Sequence, residues 1–417
     1  MPRLIAALAA ILFSAGALAD VPKLANPRDV FPEGVPAYKS ESTNYVFSMR
    51  LAPSGKRILY SRPVKNAEVG DRTPGRYELV LRELAGGKET VLPVGPILGG
   101  RRYQPIRFDP FDSTGARILL PSVTYEARKR AGRTETVISS AKWLIYDVAA
   151  AKVRSTSLSE KNLRPTKFAP GGNALLFTTT GESNRFATKV LSLEDPNAEP
   201  KPLSVEGRLQ SVCPAGNVAV IHVPRPLPSS TRAEMNEQDS RRPDRLVLYD
   251  LKANKELVRL PSHSSRNSSL GFRETQWTAD GRYLYYRDVE EVPYFRQPEL
   301  GQQMTQVVTR VWDRQAGKLV GQIYHAEPVG PGPGPSLMVL SKWMWPDNGG
   351  FLLHDLATGS EFPLGGNGEY LIHAHAGKVL YAQKSGDSGF EKILVADLVM
   401  PKPEDSASPA GAPNPAR

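Results

Sequence analysis

The feature that most constrains this chain is a hairpin that it writes seven times. Each copy has an apolar strand, an acidic residue, a short turn of small or polar residues and a second strand. The copies are LVLRELAGGKETVL at 79–92, WLIYDVAAAKV at 143–153, VLSLEDPNAEPKPL at 190–203 and LVLYDLKANKELVRL at 246–260. VTRVWDRQAGKLVGQI at 308–323, FLLHDLATGSEFPL at 351–364 and the half-copy ILVADL at 393–398 complete the set. The acidic positions are Glu83, Asp147, Glu194, Asp250, Asp313, Asp355 and Asp397, a recurrence of roughly 52 residues.

A second element precedes most copies: a strand, a Pro/Asp/Gly turn and another strand. It reads RLAPSGKRILYSR at 50–62, RFDPFDSTGARILLPSV at 107–123 and KFAPGGNALLFTT at 167–179. It returns as SVCPAGNVAVIHV at 211–223, QWTADGRYLYYRD at 276–288 and HAHAGKVLYAQK at 373–384. Two hairpins give four antiparallel strands per repeat. Such a sheet cannot bury its own faces alone, so the repeats stack, and radial closure protects their edges. The expectation is an all-β single β-propeller of seven four-stranded blades. Six stays open, because the copy near Trp345–Gly349 is compressed. The seven carboxylates read as turn formers that accept backbone N–H bonds, not as catalytic acids.

The strings LAPSGKRILYSR, QWTADGRYLYYR and LVLYDLKANKELVRL resemble the TolB-type, WD-repeat-like propeller repeat of bacterial periplasmic proteins. The resemblance covers about 44–400. It implies architecture more than function, because that repeat occurs in partner-binding proteins and beside peptidases alike. It departs from the TolB-type pattern in lacking a mixed α/β domain before the first strand.

The N-terminus predicts export. Arg3 supplies a positive n-region, Leu4–Phe13 is apolar, and Ala17-Leu18-Ala19 is a small-x-small cleavage signal. The expected division is a signal peptide over 1–19, an extension over 20–43 that is one candidate for the last blade's missing strand, a propeller over 44–400 and a Pro/Ala-rich disordered tail over 401–417, with the closing terminus left open. Pro22, Pro27, Pro32 and Pro36 fit the extension only to an edge strand. Asp20 stands where a lipoprotein needs cysteine, so a periplasmic or secreted monomer is expected, with no transmembrane segment after signal removal. The only cysteine, Cys213, excludes an internal disulfide, and its Val212-Cys213-Pro214 setting predicts burial.

Formal net charge is +10, spread along the chain instead of gathered in a tract, which argues against nucleic acid. The expected partner is a protein, or an anionic glycan or peptide, of the cell envelope. Long segments at 63–76, 124–140, 224–243 and 289–304, and blade-to-blade connections at 95–104, 261–272 and 326–336, fall on one face. Function usually sits in such loops. The connections lead to the innermost strands, so Arg101, Arg102, Arg107, Lys161, Arg164, Arg208, Arg266 and Arg273, with Lys167 beside them, are the candidate ligand-binding residues at the channel mouth. They oppose only Glu160, Glu206 and Glu274 in the same spans.

No catalytic residue, cofactor or metal is assigned. There is no Gly-x-Ser-x-Gly elbow. Gly386-Asp387-Ser388-Gly389, which mimics a serine-protease string and part of a sialidase Asp-box, lies between two propeller strands. His373 and His375 share a strand face and would need a carboxylate, with His354 and Asp355 as the nearest thought, to hold a divalent ion. Gly330–Pro335 reads as a stiff connection without the lysine of a phosphate loop. The function expected is a non-catalytic TolB-like binding scaffold. The alternative is a propeller hydrolase or lyase acting on a glycan or peptide at the central channel.

Overall fold

A computed structural model describes residues 21–35, 49–64, 75–95, 97–99, 109–130, 133–159, 166–180, 186–195, 198–223, 245–261, 275–293, 303–343, 348–366, 368–384 and 390–401. The chain begins with β1 (Lys23–Asp29). Blade 1 is β2 (Arg50–Leu51), β3 (Arg57–Pro63), β4 (Gly75–Glu83) and β5 (Glu89–Val91), with β6 (Ile97–Gly99) on the far end of β4. Blade 2 is β7 (Arg117–Arg130), β8 (Arg133–Asp147) and β9 (Lys152–Ser159); its inner strand is reduced to a bridge between Phe111 and Ile118. Blade 3 is β10 (Thr166–Phe168), β11 (Ala174–Thr180), β12 (Phe186–Ser192) and β13 (Lys201–Glu206). Blade 4 is β14 (Arg208–Val212), β15 (Val218–Val223), β16 (Arg245–Asp250) and β17 (Lys255–Leu260).

Blade 5 is β18 (Thr275–Trp277), β19 (Tyr283–Pro293), β20 (Gln303–Asp313) and β21 (Lys318–Tyr324). Blade 6 is β22 (Ala326–Pro331), β23 (Leu337–Trp343), β24 (Asn348–Asp355) and β25 (Ser360–Gly365). Blade 7 is β26 (Glu369–His375), β27 (Lys378–Lys384) and β28 (Phe390–Val399), completed by β1, which pairs antiparallel with β28. The protein is therefore an all-β, seven-bladed propeller, and its first strand closes its last blade. Pro27 is tolerated there because β1 is an edge and carries a register shift between Ala25 and Arg28.

Continuous apolar runs such as Ile58-Leu59-Tyr60 and Val218–Ile221 have a physical reason. Alternate side chains of one strand enter two different cores. Ile58 and Tyr60 join the core shared by blades 7 and 1, whereas Leu59 joins that of blades 1 and 2. Val218 and Val220 face blade 5, while Ala219 and Ile221 face blade 3. Cys213 is fully buried in the blade 4–5 core. Burial pushes its thiol pKa up.

Four of the seven acidic turns form as read, whereas Glu83 pairs with Arg57, Glu194 accepts the Asn173 amide and Asp397 pairs with Lys378. Asp147 Oδ1 accepts the Ala150 N–H at 2.8 Å, and Asp250 Oδ1 accepts Lys252 and Ala253 at 2.8 and 2.9 Å. Asp313 accepts Gln315 and Ala316, and Asp355 accepts Ala357.

Four readings of connections need correction. Residues 326–331 are the inner strand β22 of blade 6, and the turn to β23 is the Gly/Pro run that follows. The compressed feature near Trp345–Gly349 instead lies where β23 hands over to β24. The segment 124–140 is a ribbon, because β7 and β8 run 14 and 15 residues and pair to Arg130 and Arg133. β9 joins β8 only from Lys142 onward, so the outer part stands as two strands. Residues 289–293 and 303–304 likewise extend β19 and β20.

Candidate functional site

One register position recurs around the ring. Arg50 pairs with Leu59, Lys167 with Leu176 and Ser211 with Val220. Gln276 pairs with Tyr285, Gly330 with Val339 and His373 with Leu380. Each partner is the third residue of a second strand, so these six inner-strand residues stand at one level around the channel axis. Blade 2 contributes Asp109 to Ser113 from its shortened inner segment.

These strands wall a cavity of about 540 Å³. All seven blades contribute to it. The turns after the inner strands, at Pro53, Ser113, Pro170, Pro214 and Ala279, also line it, so it lies toward the short-turn face.

Cations crowd this level. Burial lowers the pKa of Lys167, and Arg50 lowers it further against the opposing pull of Asp109. His373 is held well below the usual imidazole range by burial, and then by Arg50, His375 and Lys167. Burial also lowers His375, opposed by Asp109. Like charges gathered in a low-dielectric channel cost free energy unless something negative joins them. Lys167 makes no hydrogen bond or ion pair with another described residue. The His373 Nδ1 accepts the Leu51 N–H at 3.3 Å, so its neutral ring carries the proton on Nε2.

Neutral donors accompany the charges. Gln210 and Gln276 line the cavity, whereas the Trp277 indole packs in the blade 4–5 core, its N–H buried without an acceptor among the described residues. Ser211 accepts a hydrogen bond from Thr275 at 2.7 Å. The Cys213 thiol faces the carbonyls of Ala215 and Gly281, both at 3.5 Å.

His373 and His375 do share a face, their rings stacked 6.4 Å apart at 16°. His354 and Asp355 do not join them. His354 is buried at 3.0 Å from the Tyr285 hydroxyl between blades 5 and 6, and Asp355 caps its own turn and accepts Ser336. Among the described residues no group of three His, Cys, Asp or Glu side chains is placed to hold a metal.

Of the residues expected at the channel mouth, Arg101, Arg102, Arg107, Lys161, Arg164, Arg266 and Arg273 lie outside the described residues, as does Gly386–Gly389. Arg208 is described: its guanidinium lies 3.6 Å from the centre of the Phe186 ring, packed between strands and outside the cavity lining. Lys167, noted only as an addition, is central. Arg50 and Gln276 were missed, although aligning the Pro/Gly-turn strings puts Arg50, Lys167, Ser211, Gln276 and His373 in one column, as the first residue of each.

A second cleft, of about 660 Å³, lies between the N-terminal segment and blade 1. Its buried guanidinium is already matched: Arg82 bonds Glu33 at 2.7 Å and Glu89 at 2.6 Å. The channel is the better candidate.

Fold and channel together define the class, a seven-bladed β-propeller with a cationic central cavity. No family model matches the chain, and no curated protein does. Among solved structures, oligogalacturonate lyase in complex with manganese superposes with a TM-score of 0.51 at 10% identity, over 85% of this chain and 89% of that one. The RRP9 WD40 repeats give 0.50 at 9% identity, over 91% and 100%. TolB from Acinetobacter baumannii gives 0.34 at 13%, over 83% and 81%, too loose a superposition to carry an argument. At such identities the likeness is one of fold alone.

Proposed function

We propose that this protein is an exported, non-catalytic propeller that binds an anionic ligand in its central channel, as a protein- or ligand-binding scaffold of the bacterial cell envelope. The observation that carries the reading is the shared level of Arg50, Lys167 and His373 around the channel, where Lys167 makes no hydrogen bond or ion pair with another described residue and is opposed by Asp109. Export rests on Arg3, Leu4–Phe13 and Ala17-Leu18-Ala19, giving a mature chain from Asp20. Arg101, Arg102, Arg107, Lys161, Arg164, Arg266 and Arg273, on the connections feeding the inner strands, would steer anions toward the channel. Against a hydrolase or lyase at the same place stand the engagements of Ser211 with Thr275, of Cys213 with carbonyls and of His373 with the Leu51 backbone. None forms a nucleophile–base pair.

The test is calorimetric titration of the mature protein with hexaglutamate, an oligouronate and inorganic sulfate. At least one should bind, and more weakly as salt rises from about 50 to 500 mM. Lys167→Met should weaken that binding at least tenfold, while Lys255→Met on the exposed outer strand β17 should not. Equal losses from both variants, or no binding by any probe, would overturn the proposal.

A further inference from the structure

We infer that Lys167 holds the channel ligand covalently, as a reversible imine with a small oxo acid (a carboxylate that also carries an aldehyde or ketone); this rests on the anionic-ligand reading above. Three observations meet at the lysine amine. The first is access. Along β10, Thr166 and Phe168 are buried, whereas Lys167 between them is partly exposed and lines the cavity of about 540 Å³. A space of that size takes small molecules and excludes a folded partner.

The second is freedom. Other polar groups of this wall are already engaged. Arg50 donates to the Met49 carbonyl at 2.8 Å, and His373 Nδ1 accepts the Leu51 N–H. Thr275 and Ser211 bond each other, and the Cys213 thiol faces two carbonyls. Lys167 makes no hydrogen bond or ion pair with another described residue. Among these groups the lysine amine is the uncommitted one.

The third is the surrounding field. Burial lowers the amine's pKa, and the Arg50 charge lowers it further against the pull of Asp109. Arg50 acts here through its charge and need not touch the ligand. A lysine kept only as a positive charge is better served by a carboxylate partner, which holds it protonated. A desolvated lysine beside another cation is instead activated, because the neutral amine is the form that attacks a carbonyl.

The step balances without an oxidant or reductant. The Nζ lone pair attacks the carbonyl carbon, and a proton passes from nitrogen to the carbonyl oxygen to give a carbinolamine. Its hydroxyl takes up a second proton and leaves as water while the nitrogen lone pair forms the C=N bond. Amine, carbonyl and one proton thus become a positively charged iminium and water. That charge appears at a level already cationic, so a carboxylate on the same ligand offsets it; this selects an acid over a neutral carbonyl compound.

Reductive trapping tests the assignment. The protein is incubated with sodium cyanoborohydride and either glyoxylate (carbonyl with charge) or glycolaldehyde (carbonyl without charge), and the adducts are mapped by peptide mass spectrometry. Glyoxylate should label Lys167 at least tenfold faster than the exposed Lys255 and Lys318. Glycolate, which has the charge and no carbonyl, should slow that labelling. By titration calorimetry glyoxylate should bind at least tenfold tighter than glycolate, and Lys167→Arg, which keeps the charge and removes the nucleophile, should make the two equal. If sulfate or glycolate binds but glyoxylate labels Lys167 no faster than Lys255, the imine falls while the anionic-ligand reading stands. If glycolaldehyde labels Lys167 as selectively as glyoxylate, the acid assignment falls. If no anion binds and no labelling is selective, both readings fall. Should Lys167→Arg fail to fold, the labelling pattern of the wild type decides by itself.

Discussion

At the residue scale, the channel is defined by side chains that repeat alignment makes visible and by one residue that has none. Lys167 and His373 open the Pro/Gly-turn strings of their repeats, so their shared level was legible in the sequence once the column was read. Their mutual electrostatics was not, because residues 206 positions apart in sequence meet only when the ring closes. Gly330 holds the same level in blade 6. A Cβ there would sit 1.9 Å from the Ala374 carbonyl oxygen of blade 7, closer than any real contact. Gly330→Ala therefore forces the inner strands of blades 6 and 7 apart. The expected cost is about 1–3 kcal/mol, the range for overpacking a rigid site. Gly366→Ala, where an added Cβ meets nothing within 4 Å, should cost far less. Urea unfolding of both variants checks this, and equal midpoints would show that the two inner strands can yield.

At the element scale, the acidic hairpin was readable because its chemistry is local. A carboxylate at a strand end followed by small residues dictates its own turn. The register of blade 6 was harder: Pro328, Gly330 and Pro331 look like punctuation, yet β22 is an inner edge strand with a register shift between Pro328 and Gly330 that absorbs them. The β7–β8 ribbon escaped notice for a related reason. Its polar alternation lacks the buried face that marks a strand inside a blade. Asp313 shows what a turn carboxylate contributes. Burial alone would raise its pKa, but bonds from Arg282 at 2.8 Å and from the Ala316 and Gln315 N–H groups outweigh burial and hold it below the usual range. A carboxyl with a lowered folded pKa stabilises above its unfolded value, near 3.8, and loses that contribution as pH falls through the folded value. Stability should thus drop below about pH 4. Asp313→Asn should cost about 1–3 kcal/mol at pH 7 and progressively less as the wild type acidifies. Thermal melts from pH 7 to pH 2 measure this; a gap between the proteins that stays constant with pH would mean that the charge contributes nothing.

At the scale of the whole molecule, the ring depends on a clasp made by its first strand. β1 adds the outermost strand of blade 7, and the chain then turns so that Val30 and Phe31 enter the core between blades 7 and 1. The Val30 N–H reaches the Ile393 carbonyl at 2.8 Å. Phe31 is 2% exposed and meets Tyr60 edge-on at 5.1 Å, with the Arg82 guanidinium 5.1 Å from its ring centre. Glu33 then pairs with Arg82. Glu33 is largely exposed, so its ion pair adds little, at most about 1 kcal/mol. Burial of Phe31 is the larger effect, since truncating a buried phenylalanine costs about 3–5 kcal/mol. Phe31→Ala should therefore destabilise far more than Glu33→Gln. Its loss should also be directional: β28 would lose its partner, and backbone amides of residues 393–399 should exchange faster than those of β15, on the far side of the ring. Hydrogen exchange on the folded variant reads both. If β28 keeps its protection while overall stability falls, Phe31 acts as ordinary core and the ring does not open at this seam.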